Sequence, residues 1–234
     1  MNMQKKLFLG ISTITDGPMK YSDGLVDKQV FNNRKKYFLR LGSELTDTVL
    51  ASSVHGNKIK VVSRQDSGKV IKNFDGLITK TKGIVLVVTV ADCLPIYIFD
   101  NKARVIGLLH AGWRGLKKNI IENVVITMIK KFKIKTANLQ VRIGPYIKSC
   151  HYRVKSDLVN KFSEYPEALK QKNHELFIDL AVVAKHQLTD LGVNKSNIKI
   201  SPECTYCLKD KYYSYRRDNP KILKTMLAYI GQKD

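Results

Sequence analysis

Gly83-Ile84-Val85-Leu86-Val87-Val88-Thr89-Val90 is the most strand-like segment of the chain. It is β-branched and aliphatic on both faces, which predicts a central strand covered on both sides. Directly after it comes Ala91-Asp92-Cys93-Leu94-Pro95. Residues 95–99 then read as further extended chain, with a turn at Asp100-Asn101. Residues 104–110 form a second apolar strand, and His110-Ala111-Gly112-Trp113-Arg114-Gly115 follows, where two glycines permit a tight turn. Beyond it Ile120, Ile121, Val124, Val125, Met128, Ile129 and Phe132 recur at helical spacing. A strand, a turn and a helix therefore meet at His110.

Other elements read outward from this centre. Residues 33–42 predict a helix closed by Gly42, and residues 58–62 a strand. Residues 139–143 form a strand that enters Gly144-Pro145. Asp179 can cap a helix that runs to Leu191 and ends at Gly192, and residues 198–200 make a short strand before Cys204. Helices and strands interleave, so the class is α/β (α+β). No low-complexity linker and no internal repeat interrupts the chain, so one domain is expected over residues 1–234.

Composition narrows the function classes. The chain is 44% hydrophobic, enough for a sizeable core, and no apolar run reaches the roughly 20 residues of a membrane span. The start is basic, but its apolar stretch is too short for a signal peptide. Four cysteines without a secretion signal then read as reduced thiols of a cytoplasmic protein. The net charge of +21 suggests a phosphate-bearing partner. Only nine of the 41 basic residues are arginine, and the lysines are spread along the chain without interleaved aromatics, which disfavours dedicated nucleic-acid binding.

Three segments each carry a soft metal ligand: Ser52-Ser53-Val54-His55-Gly56, the segment of Cys93, and the segment of His110. Two imidazoles and a thiolate would leave one tetrahedral position on zinc open, as in catalytic sites. Their spacing is not that of a local zinc finger, so only the fold could assemble them. Spacing alone favours the plainer reading, with Cys93 a small buried hydrophobe and the histidines loop residues.

The segments Thr89-Val90-Ala91-Asp92-Cys93-Leu94-Pro95-Ile96, His110-Ala111-Gly112-Trp113-Arg114-Gly115, Ile143-Gly144-Pro145, Cys204-Thr205 and Ser214-Tyr215-Arg216-Arg217-Asp218 occur in this order. Together they resemble the laccase-domain family, long called polyphenol oxidases and more recently purine nucleoside phosphorylases. The first two motifs are specific and the others supporting. The resemblance runs from Asn33 to Asp218. It implies a mixed-sheet α/β sandwich and a monomeric zinc enzyme acting on purine nucleosides with phosphate. It also implies His55, Cys93 and His110 as the metal ligands.

The chain departs from the family pattern in four places. Ser53 stands where relatives carry Gln, and Tyr152-Arg153-Val154 where they carry Tyr-Glu-Val. Ile11-Ser12-Thr13-Ile14-Thr15-Asp16-Gly17-Pro18 replaces a Gly-rich segment, and no Gly-Arg pair follows near Pro220-Lys221. These departures bear on substrate preference rather than on the metal.

Several residues have two readings. Asp75 matches a family acidic position and could be a base or hold a ligand, or it is a turn residue before Gly76. Asp92, on a strand end, should point opposite to Cys93 and could orient a histidine. Arg34 matches a family arginine and could contact phosphate or ribose, or it lies on a solvated helix face. Arg114 and Arg216 could hold phosphate, with free N–H groups of the helix after His110 beside Arg114. Trp113 reads as a core anchor slightly ahead of a base-stacking surface. Cys204-Thr205-Tyr206-Cys207 is a C-x2-C unit without a second pair, so it reads as support for the site wall rather than as a zinc site. His151, His174 and His186 lack ligand-like partners at useful spacing.

Two reactions are implied for the zinc reading. Phosphorolysis would release the base to phosphate, and deamination would use zinc to activate water, with Asp75 or Asp92 as acid/base because the H-x-E signature of zinc deaminases is absent. A multicopper oxidase would need far more histidine than the five here, although a single copper could occupy a Cys/His site. A metal-free hydrolase with Cys93 as nucleophile, and a charge-driven nucleic-acid binder, complete the alternatives.

Overall fold

The computed structural model describes residues 7–20, 27–100, 102 and 104–233. In chain order the first half comprises β1 (Leu7–Ile11), α1 (Lys28–Arg40), β2 (Thr48–Ser52), β3 (Ile59–Val61), β4 (Val70–Lys72), β5 (Gly76–Thr79), β6 (Val85–Val90), β7 (Leu94–Asp100) and β8 (Val105–Ala111). The second half comprises α2 (Trp113–Lys117), α3 (Ile120–Phe132), β9 (Gln140–Ile143), β10 (Arg153–Val154), α4 (Ser156–Lys161), β11 (Leu169–Lys172), β12 (Glu175–Ile178), α5 (Leu180–Asp190), β13 (Ile198–Ile200), α6 (Tyr215–Asp218) and β14 (Met226–Gln232).

β6 is central, as its sequence predicts. It lies in the middle of a five-stranded sheet of order β1-β14-β6-β2-β4, antiparallel to β14 and parallel to β2. A six-stranded sheet has the order β13-β9-β7-β8-β5-β3. The two sheets face each other through Leu86, Val88, Ala228 and Ile230 on one side and Tyr97, Phe99, Ile106 and Leu108 on the other. The outer face of the first sheet, with Val85 and Val87, packs under Tyr37 and Phe38 of α1. The outer face of the second packs under α3 and α5 through Leu94, Ile96, Ile98, Val105 and Leu109. The architecture is a mixed-sheet α/β sandwich, and a small sheet of order β10-β12-β11 flanks it.

The period-2 alternation of each strand sets these layers. In β6, 85 and 87 point one way and 86 and 88 the other, and all four are buried. α3 fully buries Ile120, Ile121, Val124, Val125 and Met128, each worth roughly 1.5–3 kcal/mol of transfer free energy. Among the described residues, no helix is long and apolar enough to cross a membrane.

Several boundaries differ from the sequence expectation. α1 begins five residues early because Asp27 caps it, accepting from the N–H groups of Gln29 and Val30 at 2.8 and 3.3 Å. Its end agrees: Gly42 has φ +69°, and the N–H groups of Gly42 and Ser43 return to the carbonyls of Leu39 and Phe38. The helix expected after His110 is split into the five-residue α2 and the long α3, with Asn119 at φ +62° between them. The free N–H groups beside Arg114 thus belong to a single short turn of helix, which carries little dipole. Of the expected Asp100-Asn101 turn, Asn101 lies outside the described residues. β14 had no counterpart in the sequence reading, since a short apolar run does not announce whether it is strand or helix.

Asp179 behaves as the cap that its position suggests. Its carboxylate accepts from the Ala181 N–H at 3.1 Å and from the Tyr146 hydroxyl at 2.8 Å, and it is buried. Asp179→Ala removes a cap and orphans a buried hydroxyl. Urea denaturation should show a loss of about 1–3 kcal/mol, and Asp179→Asn a smaller one.

Candidate metal centre

The chain crosses from one sheet to the other in three residues, Ala91-Asp92-Cys93, between β6 and β7. Asp92 takes φ +79° to make the crossing. Its carboxylate accepts from the Thr205 hydroxyl (2.6 Å), the Ser214 hydroxyl (3.0 Å) and the Arg216 N–H (2.7 Å). Asp92 and Cys93 both line the same cavity. The expectation that Asp92 orients a histidine does not hold, because its acceptor sites are taken by these three donors.

His110 reaches the same point from β8. Positions 106 and 108 of that strand face the other sheet, so alternation sends the His110 side chain to the same side. β5 pairs antiparallel with β8 in the register Gly76↔Leu109, which sets Asp75 opposite His110. The Asp75 carboxylate lies 3.0 Å from His110 Nδ1 and also accepts from the N–H groups of Val54 (3.2 Å), His55 (2.9 Å) and Gly56 (2.8 Å). Asp75 is completely buried, so these four partners replace its water. Burial alone would raise its pKa, but the bonds from His110, Gly56 and Val54 hold it below the usual carboxylate value.

His55 sits in the loop after β2 with φ +57°, fixed by that same carboxylate. Its ring meets that of His110 edge-on, with centroids 4.7 Å apart. One ligand atom from each of His55, Cys93 and His110 lies within 4.8 Å of the others. A Cβ on Gly112 would come within 2.9 Å of Cys93 Sγ and 3.4 Å of His55 Cδ2, so only glycine leaves room for this cluster. Burial would push the Cys93 thiol up, yet the facing His110 and His55 draw it down to about 6. Burial likewise lowers His110, while Cys93 and Asp75 raise it to about 9.

These three residues fit a metal. The donor set is two imidazoles and an acidified thiol, His110 is held through Nδ1 so that Nε2 is free to bind, and a buried carboxylate fixes that ring, as in carboxylate–histidine–metal arrangements.

The cluster lies on the wall of a cavity of about 730 Å³. Arg34, Ser53, Asp92, Arg114 and Arg216 line it too, whereas Asp75 stands behind the histidines. Arg34 is not on a solvated helix face: it is buried, and its guanidinium donates to the Met19 carbonyl. Arg114 is exposed and stacks on Trp113 at 4.4 Å, and Trp113 both packs on the core and walls the cavity. Arg216 donates to the Arg153 carbonyl at 2.7 Å and covers the Tyr152 ring at 5.3 Å. The Arg153 side chain pairs with Glu175 and is not part of the cavity lining. Ser53 presents a buried hydroxyl without a hydrogen-bond partner, and so does Thr225.

Lys20, Tyr152, Tyr215 and Thr225 also line the cavity and were not singled out from sequence. Tyr152 and Tyr215 had a signal, through their places in the altered Tyr-Glu-Val motif and in Ser214-Tyr215-Arg216-Arg217-Asp218.

Residues 18–233 match the family described as Multi-copper polyphenol oxidoreductase laccase. The chain belongs to this family. Among the relatives of this laccase-family chain is a purine nucleoside phosphorylase named YlmD from Geobacillus stearothermophilus, 33% identical over 218 residues, covering 88% of this chain and 79% of the relative. A purine nucleoside phosphorylase from Borreliella burgdorferi is 32% identical over 206 residues, covering 82% and 87%. The crystal structure of YlmD from Geobacillus stearothermophilus superposes with a TM-score of 0.93 at 29% identity, covering 100% of this chain and 94% of that one.

Because Asp75 holds both the 54–56 loop and the His110 ring, Asp75→Asn should weaken metal binding by about 10–100-fold in a competition titration. Retention of full affinity would show that the ring is oriented by other groups.

Proposed function

We propose that this chain is a zinc-dependent purine nucleoside phosphorylase, a cytoplasmic monomer that converts nucleoside and phosphate to free base and ribose 1-phosphate. The observation that carries this reading is the convergence of His55, Cys93 and His110 on a cavity that also presents Lys20, Arg114 and Arg216. The names of the relatives agree with it.

In phosphorolysis a phosphate oxygen bonds to the anomeric carbon of the ribose as the glycosidic C–N bond breaks. The purine leaves with the bonding electrons, and its ring nitrogen gains the proton that the attacking hydrogen phosphate gives up. His55, Cys93 and His110 would hold the zinc, which when bound would supply Lewis-acid stabilisation of developing negative charge. Arg114 and Arg216 balance the charge of the phosphate, and Lys20 adds to the field. Trp113 and Tyr152 wall off water. The unpartnered hydroxyls of Ser53 and Thr225 are available to the polar edges of the nucleoside.

Deamination is the weaker reading. It needs a proton carrier at the metal, and both candidate carboxylates are occupied: Asp75 by three N–H groups and His110, Asp92 by Thr205, Ser214 and Arg216. A carboxylate whose lone pairs are so taken is a poor base.

Zinc and copper should be quantified on untagged protein, which is then incubated with adenosine and inosine, with and without phosphate. Phosphate-dependent release of hypoxanthine or adenine, abolished by a chelator and restored by zinc, is the expected result. Inosine from adenosine without phosphate would favour deamination. Turnover that survives the chelator would point to Cys93 as a nucleophile, and turnover of neither nucleoside would overturn the reading.

Thr225→Val removes only the hydroxyl. It should raise KM for the nucleoside several-fold, about 0.5–1.5 kcal/mol, with kcat little changed. An unchanged KM would take Thr225 out of the binding surface.

A further inference from the structure

Away from the cavity wall the fold brings together a second set of soft ligands. Cys150 and His151 lie in the loop between β9 and β10, and Cys204 and Cys207 lie in the loop after β13. Cys150 Sγ is 3.7 Å from Cys204 Sγ and 3.6 Å from Cys207 Sγ. His151 Nδ1 is 3.3 Å from Cys150 Sγ and 3.2 Å from Cys207 Sγ. All four ligand atoms lie within 4.8 Å of one another. The sequence reading set the C-x2-C unit aside because two further ligands were lacking and found no partner for His151; the fold supplies both corrections at once.

The distances are those of a tetrahedron around zinc. With Zn–S near 2.3 Å and Zn–N near 2.0–2.1 Å, sulfur–sulfur edges are about 3.8 Å and sulfur–nitrogen edges about 3.6 Å. Two of the three S···S edges fall within about 0.2 Å of this, and two of the three S···N edges within about 0.4 Å. A disulfide needs sulfurs at about 2.05 Å, and all four cysteines of the chain are free. The Lys148 N–H donates to Cys204 Sγ at 3.5 Å, the kind of bond that supports a thiolate ligand. The His151 ring is fixed by stacking on Tyr206, 4.1 Å away and 13° from parallel.

We propose that Cys150, His151, Cys204 and Cys207 form a second zinc site, closed by four protein ligands, that clips the loop after β9 to the loop after β13. Each thiol releases its proton to solvent as it binds, and His151 binds as a neutral imidazole through Nδ1, so the site carries a net charge of −1. Closure by four ligands makes it structural rather than catalytic. The two loops touch along their length: Thr205 N–H bonds to the Tyr146 carbonyl at 3.0 Å, and Lys148 Nζ to the Pro202 carbonyl at 3.2 Å. Both also reach the first site. Tyr152 follows His151 directly and lines the cavity, and Thr205 follows Cys204 and bonds to Asp92 beside Cys93. The second metal therefore sets the far wall of the cavity without touching substrate.

Bound zinc per chain should be measured on full-length protein, kept reduced, for the wild type, Cys207→Ser and the double variant His55→Ala/His110→Ala. Cys207→Ser should lose about one zinc per chain relative to the wild type, and the double histidine variant should retain one. X-ray absorption of the zinc in that double variant should show three sulfurs and one nitrogen. A wild-type sample needs no variant to fold: zinc in both sites gives an average of about two sulfurs per zinc, zinc only in the second site gives about three, and zinc only in the first gives about one. The last result overturns the proposal, as does equal zinc in wild type and Cys207→Ser. A disulfide among these cysteines in zinc-free native protein would also overturn it. The middle result would leave this site standing while removing zinc from the first.

Discussion

One buried carboxylate organises the metal centre. Asp75 has no exposure, and a carboxylate placed there without partners would cost several kcal/mol. It is stable only because three consecutive N–H groups of the 54–56 loop and His110 Nδ1 converge on it. The same bonds force the loop into a conformation with His55 at positive φ and present the free nitrogen of His110. The placing of the candidate ligands is thus a consequence of satisfying a charge, and of the β5–β8 register that sets Asp75 across from His110.

Asp92 plays a parallel part on the other wall. It sits where the chain leaves one sheet for the other, and it gathers Thr205, Ser214 and the backbone of Arg216. Two segments distant in sequence, at Thr205 and at Ser214–Arg216, are thereby tied to the residue next to Cys93. Two acids that read as candidate proton carriers are both engaged in hydrogen bonds that hold the site together.

The family pattern was legible because its residues do jobs that only those residue types can do. Gly112 leaves room for Cys93 and His55, and Cys93 itself ends the crossing between sheets. Arg34 shows the opposite case: on a helix it reads equally well as solvated or buried, and only packing against Met19 decides it. Thr225 and Lys20 carried no signal, because a lone hydroxyl or lysine looks the same wherever it falls. The Arg153 departure, prominent in the sequence, proves to face Glu175 rather than the cavity lining.

Local sequence patterns carry the α/β class, the central strand β6 and the strand–turn–helix junction at His110. These follow from local periodicity and from motifs a few residues long, where the side chains that matter are neighbours. The sheet order, the place of β14, the hydrogen-bond partners of Asp75 and Asp92, and the gathering both of His55, Cys93 and His110 and of Cys150, His151, Cys204 and Cys207 come from the fold. Each of those depends on strand register and loop crossing between segments far apart in sequence, and no local pattern encodes which distant donor will meet a given acceptor.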